Sequence, residues 1–323
     1  MIRKPKVNVP KVIKGYLSYL SSIKGSSKQT VDAYRSDLIL FFRFLKMYYG
    51  QVDEITPFHE ISIMDIDIQF IREINLADIY GFLEHLENDR QNVGTTRARK
   101  VACLKSFFKY ACNKAKFIDY DLGTELETPK IQKKMPIYLT VAESQILINS
   151  VDSRNTVRDK CIITLFLNTG MRLSELCGIN ISSIKGDSLI ITGKGNKQRF
   201  VYLNDSCLDA IARYKKVRKK IEKYIDKDHK DALFISEQKK RISKRTVEDV
   251  VNNALEKAGL SQQYSVHKLR HTAATLMYKG GADIRSLQTI LGHESVATTQ
   301  IYTHVDQDQL RKTVKLNPLN SGT

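Results

Sequence analysis

The 323-residue sequence predicts a mainly α-helical protein with a small antiparallel β-sheet, divided between two domains. Apolar residues recur at the spacing of an amphipathic helix through most of the chain. Two short apolar segments flank a glycine-containing stretch, which is typical of a β-hairpin. The length is sufficient for about two compact domains, each with its own core.

Four segments in the first third of the chain have apolar residues at helical spacing, and they predict a small helical bundle. Ser27 precedes the second segment and Asn75 precedes the third, and both are residue types that cap helix N-termini. Residues 51–70 have no clean helical period, so we expect a long loop with a strand-like piece there. The four apolar faces are formed by Ile13, Tyr16, Leu17 and Leu20; by Val31, Tyr34, Leu38, Phe41, Phe42 and Leu45; by Leu76, Ile79, Tyr80, Leu83 and Leu86; and by Val101, Leu104, Phe108 and Ala111.

Residues 125–136 have the composition of a linker, with two prolines, three lysines and little apolar content. This linker separates a predicted first domain, residues 1–124, from a second domain, residues 137–304. A tail over residues 305–323 follows the second domain.

The second domain is predicted to be mainly helical, with one hairpin. Thr140 and Glu143 form a capping-box pattern that starts its first helix. The hairpin joins "SLIIT" to "QRFVYL" through the turn "GKGNK", residues 193–197.

Positive charge dominates the composition, with 52 Lys and Arg against 35 Asp and Glu and a formal net charge of +17. The excess is uneven, since residues 211–250 contain 14 Lys and Arg but 7 Asp and Glu. Such an excess suits a polyanion, because each phosphate that a cation neutralises releases condensed counterions. Nucleic acid is therefore the favoured partner, although a ribosomal or membrane-surface protein would also be basic. Two lobes joined by a basic strap can close around a duplex as a clamp, or can simply pack together.

Composition also argues against several classes of protein. The hydrophobic share of 42% and the charged share of 27% are typical of a globular chain. No apolar run approaches the ~18 residues of a membrane span, and the N-terminus lacks the apolar core of a signal peptide. We therefore expect a cytoplasmic protein with no membrane partner. The five cysteines are odd in number and scattered, which argues against a disulfide framework and against a cysteine-rich zinc module.

Tyr302 lies in "ATTQIYTHV" near the end of the sequence, and it is either a half-buried aromatic residue or a nucleophile. Free tyrosine has a pKa near ~10 and is a poor nucleophile at neutral pH. To attack a phosphodiester it would need cations on the non-bridging oxygens, a proton acceptor, and a proton donor for the leaving oxygen. Arginine is the best clamp where no metal takes part, because its planar fork matches phosphate oxygens and stays charged.

The stretch "NTGMRLSEL" offers the first such arginine. Gly170 ends an apolar helix, Arg172 enters the next one, and Glu175 follows closely enough to hold the guanidinium. Taken alone, an Arg–Glu pair at a helix start is usually structural.

The stretch "HKLRH" offers the second arginine. His267 lies three residues before Arg270 and four before His271, so all three share one face of a helix. Two histidines at this spacing can bind zinc, but Lys268 stands where the H-E-x-x-H motif has its glutamate. The better interpretation places His267 and Arg270 on one anion, with His271 as a packing or supporting residue.

Two further segments supply candidate proton carriers. Lys194, at the tip of the hairpin, is a plausible proton donor, and Lys197 competes with it for this role. His293 follows a glycine break in "LGHES", where a lone histidine is more often a structural cap than a catalyst.

Together these residues resemble the tyrosine site-specific recombinases of the phage-integrase and Xer kind. The resemblance covers nearly the whole chain, and its motifs are highly specific in combination. It implies a helical, SAM-like core-DNA-binding domain and a mixed α+β catalytic domain that form a C-shaped clamp. Segment 51–70 is longer than compact Xer proteins usually have, and no arm-binding domain of the phage-integrase type is seen, which favours a simple Xer-like protein. The matching stretches are "SKQTVDAYRSDLILFFRFL", "TGMRLSEL", "GKGNKQRFVYL", "HKLRHTAATLM" and "LGHESVATTQIYTHV".

The resemblance assigns a role to each matching position. Tyr302 would attack the scissile phosphate and form a 3′-phosphotyrosyl link, while Arg172 and Arg270 would hold the non-bridging oxygens. Lys194 would protonate the departing 5′ oxygen. His267 would act as a general base or orient the phosphate, and His293 would hydrogen-bond it. The covalent link keeps the bond energy, so neither a metal nor ATP nor another cofactor is implied.

The same resemblance implies partners. The expected ligand is a double-stranded DNA recombination site, bound by a homotetramer or by a heterotetramer with a second recombinase, with or without a DNA translocase. The tail would dock on a neighbouring protomer through Leu310 and Val314, and the alternative is a tail folded back on its own domain. The residues expected to contact DNA are Lys28, Arg35, Arg97, Arg99, Lys100, Lys130, Lys133, Lys134, Lys244 and Arg245.

Two other functions compete with recombination. A non-catalytic DNA-binding regulator of the same fold would have lost an arginine or the tyrosine, and none is lost. A type IB topoisomerase shares the chemistry but relaxes DNA as a monomer. The sequence does not distinguish dimer resolution of chromosomes or plasmids from integration and excision of a mobile element.

Overall fold

The computed structural model describes residues 8–53, 55–129, 137–192, 198–260 and 263–292. The chain divides into two compact units, residues 1–133 and 134–323, and each has its own apolar core. The predicted fold class is confirmed, because helices dominate and the described residues contain one three-stranded antiparallel sheet. Within the described part of the chain, no helix is both long enough and apolar enough to cross a membrane.

The four apolar faces predicted for the first unit correspond to four helices, and a short fifth helix, α3, was not predicted. Both predicted N-caps are present: the Ser27 hydroxyl accepts the Thr30 N–H at 3.2 Å, and the Asn75 side chain accepts the Ala77 N–H at 2.8 Å. The faces pack together into an aromatic-rich core, except for Tyr80, which was predicted on the third face but is 48% exposed. The helices are α1 (Lys11–Ser22), α2 (Lys28–Tyr48), α3 (Ile68–Glu73), α4 (Leu76–Asn88) and α5 (Gly94–Asn113).

The segment before α3 is a loop without a strand among its described residues, so the predicted strand-like piece was wrong. Ile61 and Ile63 alternate as in a strand, and both are buried in the core of the unit. Their backbone forms no sheet because side chains of α2 satisfy it instead. Arg43 Nε, for example, donates to the Ile61 carbonyl at 2.9 Å.

The second unit is built around α7, in which most of the 14 residues are buried. The predicted capping box is present, with the Thr140 hydroxyl accepting the Glu143 N–H at 3.2 Å and the Glu143 carboxylate accepting the Thr140 N–H at 2.7 Å. The helices are α6 (Val141–Asn149), α7 (Thr156–Thr169), α8 (Leu173–Gly178), α9 (Asp205–Ile221), α10 (Lys244–Lys257), α11 (Val266–Lys279) and α12 (Ile284–Leu291).

The sheet contains the predicted hairpin and one additional short strand. Strand β1 (Ile184–Lys185) pairs with β2 (Ser188–Thr192), and β2 pairs with β3 (Gln198–Tyr202), all antiparallel. The register places Arg199 opposite Ile191, which is buried. The turn between β2 and β3 lies outside the described residues.

Candidate active site

The end of α7 is packed directly against the end of α12. Gly170 ends α7 in the left-handed conformation, with φ +61°. A Cβ atom at this position would lie 2.8 Å from Leu291 Cδ2, which is closer than real contacts allow. Glycine therefore satisfies two requirements, the backbone angle and the space, and it fixes the direction in which the chain enters Arg172.

Replacing Gly170 by alanine is expected to destabilise the second unit by about 2–5 kcal/mol, because left-handed strain adds to overpacking. Gly259→Ala is the matched control. Gly259 has φ +63° but open space around a Cβ, so only the strain of about 1–2 kcal/mol is expected there. Urea unfolding followed by circular dichroism measures both variants. An equal loss of unfolding free energy in both variants would show that the contact with Leu291 does not add to the cost of Gly170→Ala.

Arg172 is the N-cap residue of α8, and Glu175 holds it through both backbone and side chain. The Glu175 carboxylate accepts the Arg172 N–H at 2.7 Å and accepts from Arg172 Nη1 at 3.0 Å. Arg172 Nη2 donates to the Gly292 carbonyl at 2.8 Å. The Glu175 side chain is 2% exposed, whereas that of Arg172 is 40% exposed. A buried carboxylate thus anchors a guanidinium that solvent and ligands can reach.

Arg270 is buried on α11 and joins the ends of two other helices. Its Nη1 donates to the Gly170 carbonyl at 2.7 Å, and its Nη2 donates to the Leu291 carbonyl at 2.7 Å. Both acceptors lie at helix C-termini, where carbonyls lack intrahelical partners and carry the negative end of the helix dipole. Arg270 therefore holds the C-terminal ends of α7 and α12 together.

A third arginine, Arg199, was missed by the sequence analysis. It extends from β3, and its Nη2 donates to Glu175 Oε2 at 3.1 Å and to the Leu291 carbonyl at 3.3 Å. Burial lowers the pKa of Arg199, an effect that the carboxylate of Glu175 opposes. The hairpin prediction already placed Arg199 on a strand. However, the apolar residues of "RFVYL" occupy consecutive positions and therefore lie on both faces of the sheet, so the pattern does not show which face is buried.

Three guanidinium groups therefore meet at the last two carbonyls of the α12 terminus, those of Leu291 and Gly292. One carboxylate, that of Glu175, lies among them, so the cluster has an excess of positive charge. Such an arrangement is suited to an anion with several oxygens, since a charged acceptor forms stronger hydrogen bonds with guanidinium than a neutral carbonyl does.

The two histidines of α11 occupy different environments. His267 is exposed in the first turn of the helix and lines a cavity of about 210 Å³ with Leu173 and Arg245. His271 is half-buried, and burial lowers its pKa, with smaller contributions from Lys268 and Arg270. The ring of His271 is therefore neutral at neutral pH, in keeping with a packing position. The cavity brings the predicted DNA contact Arg245 close to His267.

Several predicted site residues lie outside the described residues, and the structure gives no geometry for them. These are the two candidate proton donors on the hairpin turn, the histidine after Gly292, the tyrosine, the three lysines of the linker and the two apolar residues of the tail: Lys194, Lys197, His293, Tyr302, Lys130, Lys133, Lys134, Leu310 and Val314.

The predicted DNA contacts of the first unit differ in accessibility. Lys28 is exposed at the start of α2, and Arg35 is partly exposed. Arg97 pairs with Glu87. Arg99 and Lys100 both pair with the buried Asp37.

Lys100 must be removed from this set, because it is 7% exposed and its ammonium lies 2.8 Å from the Asp37 carboxylate. An ammonium committed to a buried carboxylate cannot move to a phosphate without leaving that carboxylate unpaired. In the second unit, Lys244 and Arg245 are both exposed at the start of α10.

Two family models match the chain. The model described as "Phage integrase family" covers residues 138–309, and "Phage integrase, N-terminal SAM-like domain" covers residues 13–61. Tyrosine recombinase XerC of Caldanaerobacter subterraneus subsp. tengcongensis is 52% identical over 313 residues, which cover 96% of this chain and 88% of the relative. The chain belongs to the phage integrase family of tyrosine recombinases. Tyrosine recombinase XerD of Staphylococcus aureus is 33% identical over 308 residues, covering 93% of this chain and 96% of that protein.

Solved structures of this family share the fold. The XerH site-specific recombinase bound to its difH substrate matches with a TM-score of 0.66 at 21% identity, covering 94% of this chain and 84% of the other. A lambda integrase fragment, residues 75–356, bound as a dimer to a core site, also gives a TM-score of 0.66, at 18% identity, covering 89% of this chain and 95% of the other. These two structures confirm the fold, and the family model together with the XerC relative confirms the sequence resemblance to tyrosine recombinases.

Proposed function

We propose that this chain is a site-specific DNA recombinase that cleaves and rejoins strands through a 3′-phosphotyrosyl link at Tyr302. The observation that carries the proposal is the convergence of Arg172 and Arg270 on two adjacent carbonyls at the end of α12. Two arginines from distant parts of the sequence would not be brought to one point by core packing alone. The relatives named XerC and XerD, which align over nearly the whole chain, support the same activity.

The scissile phosphate would compete with the carbonyls for the two guanidinium forks. Arg172 is the more accessible of the two arginines. Its hydrogen bond to Glu175 would keep the guanidinium oriented while the hydrogen bond to the Gly292 carbonyl is replaced by one to the phosphate. Negative charge grows on the non-bridging oxygens as the tyrosine attacks. Donors that are already oriented stabilise this charge without reorganisation, which makes them worth more than donors in water.

Proton transfers complete the proposed reaction. His267, which is exposed at the start of α11, would accept the tyrosine proton or orient the phosphate. Lys194 on the hairpin turn would protonate the 5′ oxygen as it leaves, and His293 would hydrogen-bond the phosphate. The phosphotyrosyl ester keeps the energy of the broken phosphodiester, so the 5′ hydroxyl of a second strand can reverse the step without ATP or a metal.

A trapping experiment tests the proposal. Selection of bound duplexes from a pool with random inverted repeats supplies the DNA site. A version of that site nicked just beyond the cleavage position loses a short fragment after attack and leaves the protein covalently joined to DNA. A slowly migrating band on a denaturing gel is the expected result. Relaxed plasmid circles formed without the selected site would instead indicate a topoisomerase.

DNA affinity is expected to fall steeply with salt, because the net charge of +17 implies many phosphate contacts. The plot of log K against log salt should be linear, with a slope of about −0.9 for each phosphate neutralised. Changing Lys130, Lys133 and Lys134 together to Glu should weaken binding to selected and random duplexes alike. The triple change to Arg, which keeps the charge, is the control. A salt-independent affinity in gel-shift titrations would argue against the clamp.

The tail is expected to act between protomers. On a helical wheel Leu310 and Val314 share one face, and a helix this short is unstable without a partner surface. Changing both to Asp should leave half-site binding intact but abolish cooperative filling of the full site and recombination. Lys312→Asp, on the opposite side of the wheel, is the control. Native gels with half-site and full-site DNA make the measurement, and a double variant that assembles and recombines normally would refute the docking.

A further inference from the structure

Arg199 makes a second link between Glu175 and the end of α12, beside the link that Arg172 makes, and it adds strand β3 to the connection. One of its terminal nitrogens, Nη2, reaches both Glu175 Oε2 at 3.1 Å and the Leu291 carbonyl at 3.3 Å. Glu175 belongs to α8 and anchors Arg172, whereas Leu291 is the last residue of α12. A single guanidinium thus connects strand β3, the anchor of the accessible arginine, and the end of α12.

The guanidinium also lies against Gly292. A Cβ atom built on Gly292 would be 2.5 Å from Arg199 Nε and 3.0 Å from its Cδ. Gly292 has φ +64°, so glycine is required there both for the backbone and for the approach of the arginine. The C-terminal end of α12 therefore lies directly against the side chain of Arg199.

We propose that Arg199 is a positioning residue of the recombinase site, which fastens the end of α12 to Glu175 and so sets the orientation of the Arg172 guanidinium. The inference rests on the proposed function, since it assigns Arg199 a part in that reaction. Arg199 acts through its neighbours and is given no direct contact with DNA.

The energetic cost of burying Arg199 indicates that this side chain positions its neighbours and does not simply fill space in the core. The Arg199 side chain is 17% exposed, and its Nη1 is buried without a hydrogen-bond acceptor among the described residues. Burying a cation and leaving one of its donors unmatched is costly, and an apolar side chain would fill the same space more favourably. What arginine adds at this point is the pair of directed hydrogen bonds through Nη2.

Arg199 is close along the chain to one proposed catalytic residue, since Lys194 precedes it by five positions. A second, His293, directly follows Gly292, the glycine that the Arg199 side chain contacts. The carboxylate of Glu175 is shared with Arg172. Loss of Arg199 would therefore loosen several parts of the site at once while leaving each of them chemically intact.

The test compares Arg199→Gln and Arg199→Lys with the wild type and with Arg213→Gln, an exposed arginine of α9 whose partner is Asp209 on the same helix. Misplacement of catalytic groups by about 1 Å costs on the order of 100-fold in rate, so Arg199→Gln should slow covalent trapping by about 100-fold. DNA half-site affinity should change less than about 2-fold, because Arg199 contacts no DNA in this proposal. Arg199→Lys should recover part of the rate, since it keeps the charge but not the planar fork.

Amide hydrogen exchange provides a readout that does not depend on activity. In Arg199→Gln, exchange should rise over residues 284–292, while α7 and α9 keep the protection of the wild type. Unchanged exchange at the end of α12, or wild-type trapping rates in both variants, would overturn the positioning role. If the wild type forms no covalent product, the proposed function fails, yet the exchange data still decide whether Arg199 holds α12. If Arg199→Gln does not fold, the same two measurements on Arg199→Lys decide the proposal.

Discussion

Changing Tyr302 to phenylalanine is expected to abolish the covalent protein–DNA product while leaving DNA binding nearly intact. The change removes one oxygen atom, which is the proposed nucleophile, and retains the aromatic ring. Without this oxygen the phosphotyrosyl ester cannot form, so the loss should be complete within the detection limit of a denaturing gel. Gel shifts on the intact site measure binding separately.

Tyr224→Phe is the matched control, because Tyr224 is an exposed tyrosine of the same unit outside the proposed site. It should trap DNA at the wild-type rate. The reactions contain EDTA, since the proposed mechanism uses no metal ion. A covalent band with the Tyr302→Phe variant would show that another residue is the nucleophile, and a wild-type band that needs added Mg²⁺ would contradict the metal-free chemistry.

Helix periodicity was the most informative signal in the sequence. The apolar faces of α1, α2, α4 and α5 were readable because regular spacing combines, for two of them, with a start signal at Ser27 or Asn75. The same spacing argument placed Arg270 on a helix and the Gly170 turn at a helix end, where both are found. Local rules sufficed for these features because neighbours along the chain determine them.

Features that depend on distant partners were not readable. Ile61 and Ile63 alternate like strand residues, but arginine and lysine side chains from α2 satisfy the loop and no strand forms among its described residues. Lys100 looked like an exposed cation until Asp37, 63 positions away, proved to hold it. On β3, Val201 is buried between two exposed aromatic residues, and nothing in the sequence says which face turns inward. Arg199 was missed for this reason.

Arg172→Ala should slow cleavage by about 10²–10³-fold, or roughly 3–4 kcal/mol, which is the usual cost of one lost oxyanion donor. Its effect on folding should be small. The Arg172 side chain is 40% exposed, and Glu175 keeps Arg199 as a partner when Arg172 is removed. In the same preparation, the rate of covalent trapping on the nicked site should therefore fall strongly, whereas the free energy of unfolding in urea should change little.

Arg270→Ala should differ in kind, because this arginine is buried and joins two helix ends. Its removal takes the Arg270 donor from the Gly170 carbonyl and leaves the Leu291 carbonyl with only the longer bond from Arg199. A buried carbonyl left without a donor costs about 1–3 kcal/mol. We expect a cleavage loss of at least about 10²-fold together with a clear fall in the free energy of unfolding. Arg213→Ala, at an exposed position of α9, should change neither quantity. If Arg172→Ala trapped DNA at the wild-type rate, or if Arg270→Ala lost stability but cleaved normally, the two guanidinium groups would be structural fasteners of α7, α8 and α12, and the phosphate would have to bind elsewhere.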